Sequence, residues 1–72
     1  MTLDKLKPGQ RAVVRTIEEN PLKRRLQELG LSAGSEITCL FSSPLGDPVA
    51  YRFGTSVIAL RSSDVKSVSL WD

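Results

Sequence analysis

The stretch "SPLGDPVAYRFGTSVIALR", Ser43 to Arg61, decides how the rest of the chain is read. Two prolines, a glycine and an aspartate fall within five positions, and then Val49, Tyr51 and Phe53 alternate with Ala50 and Arg52. That period of two describes a strand with one buried and one wet face. Gly54-Thr55 suits a tight turn into a second strand, "SVIALR", so the segment predicts a β-hairpin behind a stiff loop, Ser42 to Pro48.

Working outward, "QRAVVRTI", Gln10 to Ile17, is rich in β-branched residues after the break at Pro8-Gly9 and predicts a first strand. Glu36 to Phe41 predicts a second, with Ile37, Cys39 and Phe41 on one face. "SSD" predicts a turn that Asp64 caps, and "KSVSL" a fifth strand. Only "NPLKRRLQELG" carries helical signals. Asn20 is a good N-cap, Pro21 suits the first helical position, and Gly30 suits the position just past the end. Leu22, Leu26 and Leu29 form one apolar stripe expected to face the core. Arg24 and Glu28 are spaced to pair, and Lys23 and Arg25 flank the stripe. Lys23, Arg24 and Arg25 oppose the helix dipole at a cost of a few tenths of a kcal/mol each, softened by Glu18 and Glu19.

These signals add up to an all-β dominated domain, a small five-stranded antiparallel barrel with a short helical insertion after the first strand, spanning residues 1–72. A chain of 72 residues hides only about 60% of its unfolded surface, and closing the sheet economises on core. One cysteine, Cys39, excludes an internal disulfide, and the lack of histidine excludes a conventional nitrogen and sulfur metal site. The start of the chain has no apolar signal-peptide core, and Val57–Leu60 is too short to cross a bilayer, so a soluble, cytoplasmic protein without membrane insertion is expected. A net charge of +2 is too weak to point to nucleic acid.

Chemistry is sparse. Cys39 reads as a buried structural thiol, and no two carboxylates are placed to share acid and base work, so an enzyme is not expected. "PLGDP" has too few glycines for a phosphate cradle and too few oxygen ligands for calcium. What remains is a hairpin tip, stiffened by Pro44 and Pro48, that loses little entropy on meeting a partner. Trp71 either caps the barrel or anchors a partner.

Four segments in order, "LKPGQRAVV", "RRLQELGLSAGSEI", "SPLGDPVAY" and "VIALR", resemble the FeoA family over almost the whole chain. One departure is Ala33, where the family often carries proline before the glycine. The resemblance implies an SH3-like barrel, a cytoplasmic location and a role supporting the ferrous iron permease FeoB at the inner membrane; the residues themselves offer no clustered set of ligands, so no bound cofactor or metal is expected. For a non-enzymatic adaptor, the helix and the stiff loop are the expected partner surface: Leu22, Lys23, Arg24, Arg25, Leu26 and Leu29 on the helix, with Pro44, Leu45, Gly46, Asp47 and Pro48 in the loop. The runner-up is a regulatory or nucleic-acid-binding barrel similar to the C-terminal module of metal-dependent repressors, and Arg24 or Arg25 acting as a finger for nucleotide hydrolysis is a third reading. Self-association stays open.

Overall fold

The alternating stretches form strands β1 (Arg11–Ile17), β2 (Glu36–Ser42), β3 (Val49–Phe53), β4 (Ser56–Leu60) and β5 (Val68–Leu70) in the computed structural model, which describes residues 1–72. All neighbours pair antiparallel, in the order β4-β3-β2-β1-β5. β1 is shared between two partners: Arg11–Val13 pair with β2 and Val14–Ile17 with β5. This division bends the sheet around a core of 14 buried residues. The expected closure is not made by hydrogen bonds, because β4 and β5 do not pair. A short helix α2 (Ser62–Val65) joins them instead, replacing the turn read at "SSD", and buries Val65.

Two bulges decide which side chains face inward. In β2, Cys39 pairs with Tyr51 but Phe41 with Ala50, leaving Leu40 as an extra residue. The extra residue shifts the alternation by one. Ile37 and Cys39 are fully buried as expected, while Phe41 is turned outward and 62% exposed, which corrects the expectation of three residues on one inner face. In β1 the extra residue is Arg15, so Val14 and Ile17, three positions apart, both reach the core.

Helix α1 (Pro21–Glu28) starts and stops where its end signals lie. The Asn20 side chain accepts from the Lys23 amide at 3.0 Å, and Pro21 opens the helix. Gly30, at φ 104°, turns the chain, the Gly30 amide donates to the Gln27 carbonyl at 3.0 Å, and the Leu31 amide donates to the Leu26 carbonyl at 2.9 Å. This double bond is a Schellman motif, whose usual companion is an apolar contact across the turn. Leu26 and Leu31 are both fully buried and share the core cluster. The three-leucine stripe is corrected accordingly: the helix ends before Leu29, which caps it and is 40% exposed, and Leu31 takes the inner position. Arg24 and Glu28 do not pair; Lys23 instead meets Glu19 at 3.0 Å.

The first residues belong to the fold. A 3-10 turn at Leu3–Lys5 buries Leu3, and Leu6 joins it in the core. The Leu70 amide donates to the Met1 carbonyl at 2.6 Å and Thr2 bridges Ser69, so the outer edge of β5 is covered.

Candidate partner-binding surface

The loop between β2 and β3 is held at several points. The Gly46 amide donates to the Ser43 carbonyl at 2.8 Å, closing a turn around Pro44 and Leu45, and Gly46 takes φ 90°. The Ser43 amide donates to the Pro48 carbonyl at 3.1 Å, and the Ser43 hydroxyl bonds the Asp47 carbonyl. The Asp47-Pro48 peptide is cis. The Asp47 carboxylate crosses to α2, accepting from the Ser62 amide at 2.9 Å and the Ser62 hydroxyl at 3.0 Å. Asp47, not Asp64, therefore holds the start of α2. With the loop anchored on both sides, its tip presents Leu45, 96% exposed, to solvent. An apolar side chain placed so on a stiff frame suits recognition at low entropic cost.

Asp47→Ala is expected to lower stability by about 1–1.5 kcal/mol, since two bonds to a charged acceptor are lost at a solvent-exposed site. Asp64→Ala, whose carboxylate makes no hydrogen bond, is expected to cost less than about 0.5 kcal/mol. Urea unfolding of the two variants checks this, and equal losses would contradict the assignment of the cap.

On α1, Arg24, Arg25 and Leu29 are exposed, Leu22 is half-buried against the core, and Lys23 is partly covered beside Glu19. Leu26 is fully enclosed, so it positions this surface without forming part of it. The helix and loop are not adjacent. The Ser56 hydroxyl, beside the β3-β4 turn, donates to the Leu29 carbonyl at 3.3 Å, whereas the loop enters β3 at its other end, Val49. About 15 Å of strand separates them.

A feature absent from the sequence reading lies beside the helix. Arg15, Thr16, Ile17, Lys23, Gln27 and Ala33 line an open depression of about 300 Å³. The Arg15 guanidinium sits 5.0 Å from the centre of the Trp71 ring, within cation-π range. Trp71 is thus on the outer surface, 59% exposed, and its amide donates to the Val13 carbonyl at 2.9 Å. No local signal joins these residues, because the β1 bulge aims Arg15 outward.

Burial pushes the Cys39 thiol above its ordinary value, so it is held as the unreactive thiol. No three residues among Cys, Asp and Glu stand close enough together to hold a metal ion. No helix is long and apolar enough to cross a membrane. What the surface offers is exposed apolar residues, the unpaired Arg24 and Arg25, and a loop held at several points.

Comparison with known proteins agrees with this architecture. The family model described as "FeoA domain" matches residues 1–70. A Porphyromonas gingivalis protein, the Fe(2+) transport protein A/Fe(2+) transporter FeoB fusion protein, is 32% identical over 71 residues; the match covers 97% of this chain but 8% of that relative. The solution structure of FeoA from Chlorobium tepidum superposes with a TM-score of 0.90 at 32% identity, covering 97% of this chain and 68% of that one. The crystal structure of Stenotrophomonas maltophilia FeoA, complexed with zinc and described as a prokaryotic SH3 domain protein, gives 0.86 at 33% identity, covering 97% and 88%. With one family model spanning nearly every residue and the same curled sheet in its solved relatives, this chain belongs to the FeoA family and has its SH3-like fold.

Proposed function

We propose that this protein is a cytoplasmic, non-enzymatic accessory factor of ferrous iron uptake that docks on the cytoplasmic, GTP-binding part of a FeoB-type permease. The observation that carries the reading is the relative from Porphyromonas gingivalis, in which a domain 32% identical to this chain is joined to the FeoB transporter in one polypeptide. Covalent linkage holds two modules at a high effective concentration. A separate chain must reach the same encounter through its own surface. Leu45 and Leu29 supply exposed apolar anchors, with Pro44, Gly46 and Pro48 fixing the first of them. Lys23, Arg24 and Arg25 speed encounter with an acidic surface more than they deepen affinity. Leu22, Leu26 and Asp47 hold these groups in place from beneath.

The test is an NMR titration of labelled protein with the isolated cytoplasmic domain of the permease, nucleotide-free and with a GTP analogue. Shifts at Arg24, Arg25, Leu29, Leu45 and Gly46 are expected. Leu45→Asp is expected to weaken binding at least tenfold with an unchanged spectrum of the free protein, because an exposed anchor is lost and no core contact is touched. An absence of shifts in both nucleotide states near a millimolar would overturn docking on that domain.

A further inference from the structure

The sheet has two edges, and the chain treats them differently. The outer edge of β5 is covered by Met1 and Thr2. The outer edge of β4 is bare: outside the β3-β4 ladder no backbone hydrogen bond involves any residue from Ser56 to Leu60. β4 also carries no charge, no proline and no bulge, the usual devices that keep edges apart.

The hairpin settles which groups face out. Gly54, at φ 58°, and Thr55 form a two-residue turn between the paired Phe53 and Ser56. In such a turn the flanking pair exchanges hydrogen bonds, and pairs then alternate, so Tyr51-Ile58 and Val49-Leu60 are bonded. The amides and carbonyls of Val57 and Ala59 therefore point away from β3, into solvent. The side chains of these two residues are exposed as well.

We propose that β4 pairs antiparallel with β4 of a second copy of this chain, on a two-fold axis through Ile58. Val57 then lies opposite Ala59 of the second copy, and the reverse, giving four main-chain hydrogen bonds from groups that have none in the single chain. This register also sorts the outer face. Phe41, Ala50 and Ala59 already lie in one row across the sheet, and Thr38, Arg52 and Val57 in the next. Pairing about Ile58 continues the apolar row into Val57 of the second copy, setting a branched side chain beside a small one. The Arg52 residues of the two copies fall in different rows, roughly 16 Å apart and beyond the screening length at physiological salt. No carboxylate or cation faces a like charge across the seam, which favours a second copy over a charged peptide as the occupant. The four bonds come from Val57 and Ala59 alone, between Leu29 beside Ser56 at one end of β4 and the Asp47-Ser62 anchor just past Leu60 at the other.

Sedimentation equilibrium on the intact chain from about 10 μM to about 1 mM is the test, together with isotope-filtered NOE spectra on a mixture of labelled and unlabelled protein. The expected result is a concentration-dependent dimer with contacts between Val57 of one copy and Ala59 of the other, and slowed exchange of those two amides. Val57→Lys, at an exposed site that the fold does not need, is expected to weaken association at least tenfold while leaving the spectrum of the monomer unchanged. A wild-type monomer at 1 mM with freely exchanging Val57 and Ala59 amides would overturn the proposal. So would a dimer untouched by Val57→Lys whose contacts lie elsewhere.

Discussion

Replacing Leu26 with alanine is expected to remove about 3 kcal/mol of folding free energy, which is a large share of the roughly 4–11 kcal/mol that a domain of 72 residues carries. Leu26 is the one helix residue with no solvent exposure, and it shares the core cluster with Leu31 across the Schellman turn. Truncation leaves a cavity at the only place where α1 is fastened to the core by a fully buried side chain. Leu29→Ala, three residues on and judged equivalent by periodicity, is expected to cost less than about 1 kcal/mol, because Leu29 is 40% exposed already. Urea denaturation followed by circular dichroism separates the two. Comparable losses would mean that the helix packs by its sequence stripe and not as the structure has it.

The second large effect is a loss of stability at alkaline pH. Burial, reinforced by the neighbouring Cys39, Asp4 and Asp47, pushes the Tyr51 hydroxyl from about 10 up to about 12. The native state keeps this proton where the unfolded chain has lost it. Between these values the unfolded state binds fewer protons, so stability falls as pH rises. It is intact below pH 10 and declines toward pH 12 by about 2–3 kcal/mol, at 1.36 kcal/mol per unit. Cys39 adds a loss of the same sign that begins near 9, since burial raises its thiol too. Tyr51→Phe is expected to be close to wild type at pH 7, as the ring keeps its buried place in the core, and to lose only the Cys39 part above pH 10. Melting temperatures of both proteins between pH 8 and 11.5 check this. A Phe variant that declines as steeply as wild type would show that Tyr51 is not the group responsible.

Locally enforced features were legible in the sequence. Asn20, Pro21 and Gly30 mark the ends of α1 because capping and positive φ are decided within a few residues. The strands and the Gly54-Thr55 turn follow from a period of two and from one residue's conformational freedom. The stiffness of Pro44 to Pro48 was equally readable, as was the burial of Cys39. The family followed from four segments in order.

Tertiary structure decided what depends on partners distant in sequence. The bulges at Leu40 and Arg15 arise from register with β3 and β5, and each turns a side chain, Phe41 and Arg15, to the outer surface. Pattern reading assumes an unbroken alternation and cannot see an added residue. Asp47 reaches Ser62, fifteen positions on, because the hairpin brings α2 to the loop. Leu3 and Leu6 enter the core, and Met1 covers β5, only because the sheet curls round to meet them. The sequence by itself determined the five strands and the ends of α1, where sterics and hydrogen bonds act between near neighbours; the fold alone decided the short helix α2, which residues face solvent and which edge stays bare, since those are set by pairing across the chain.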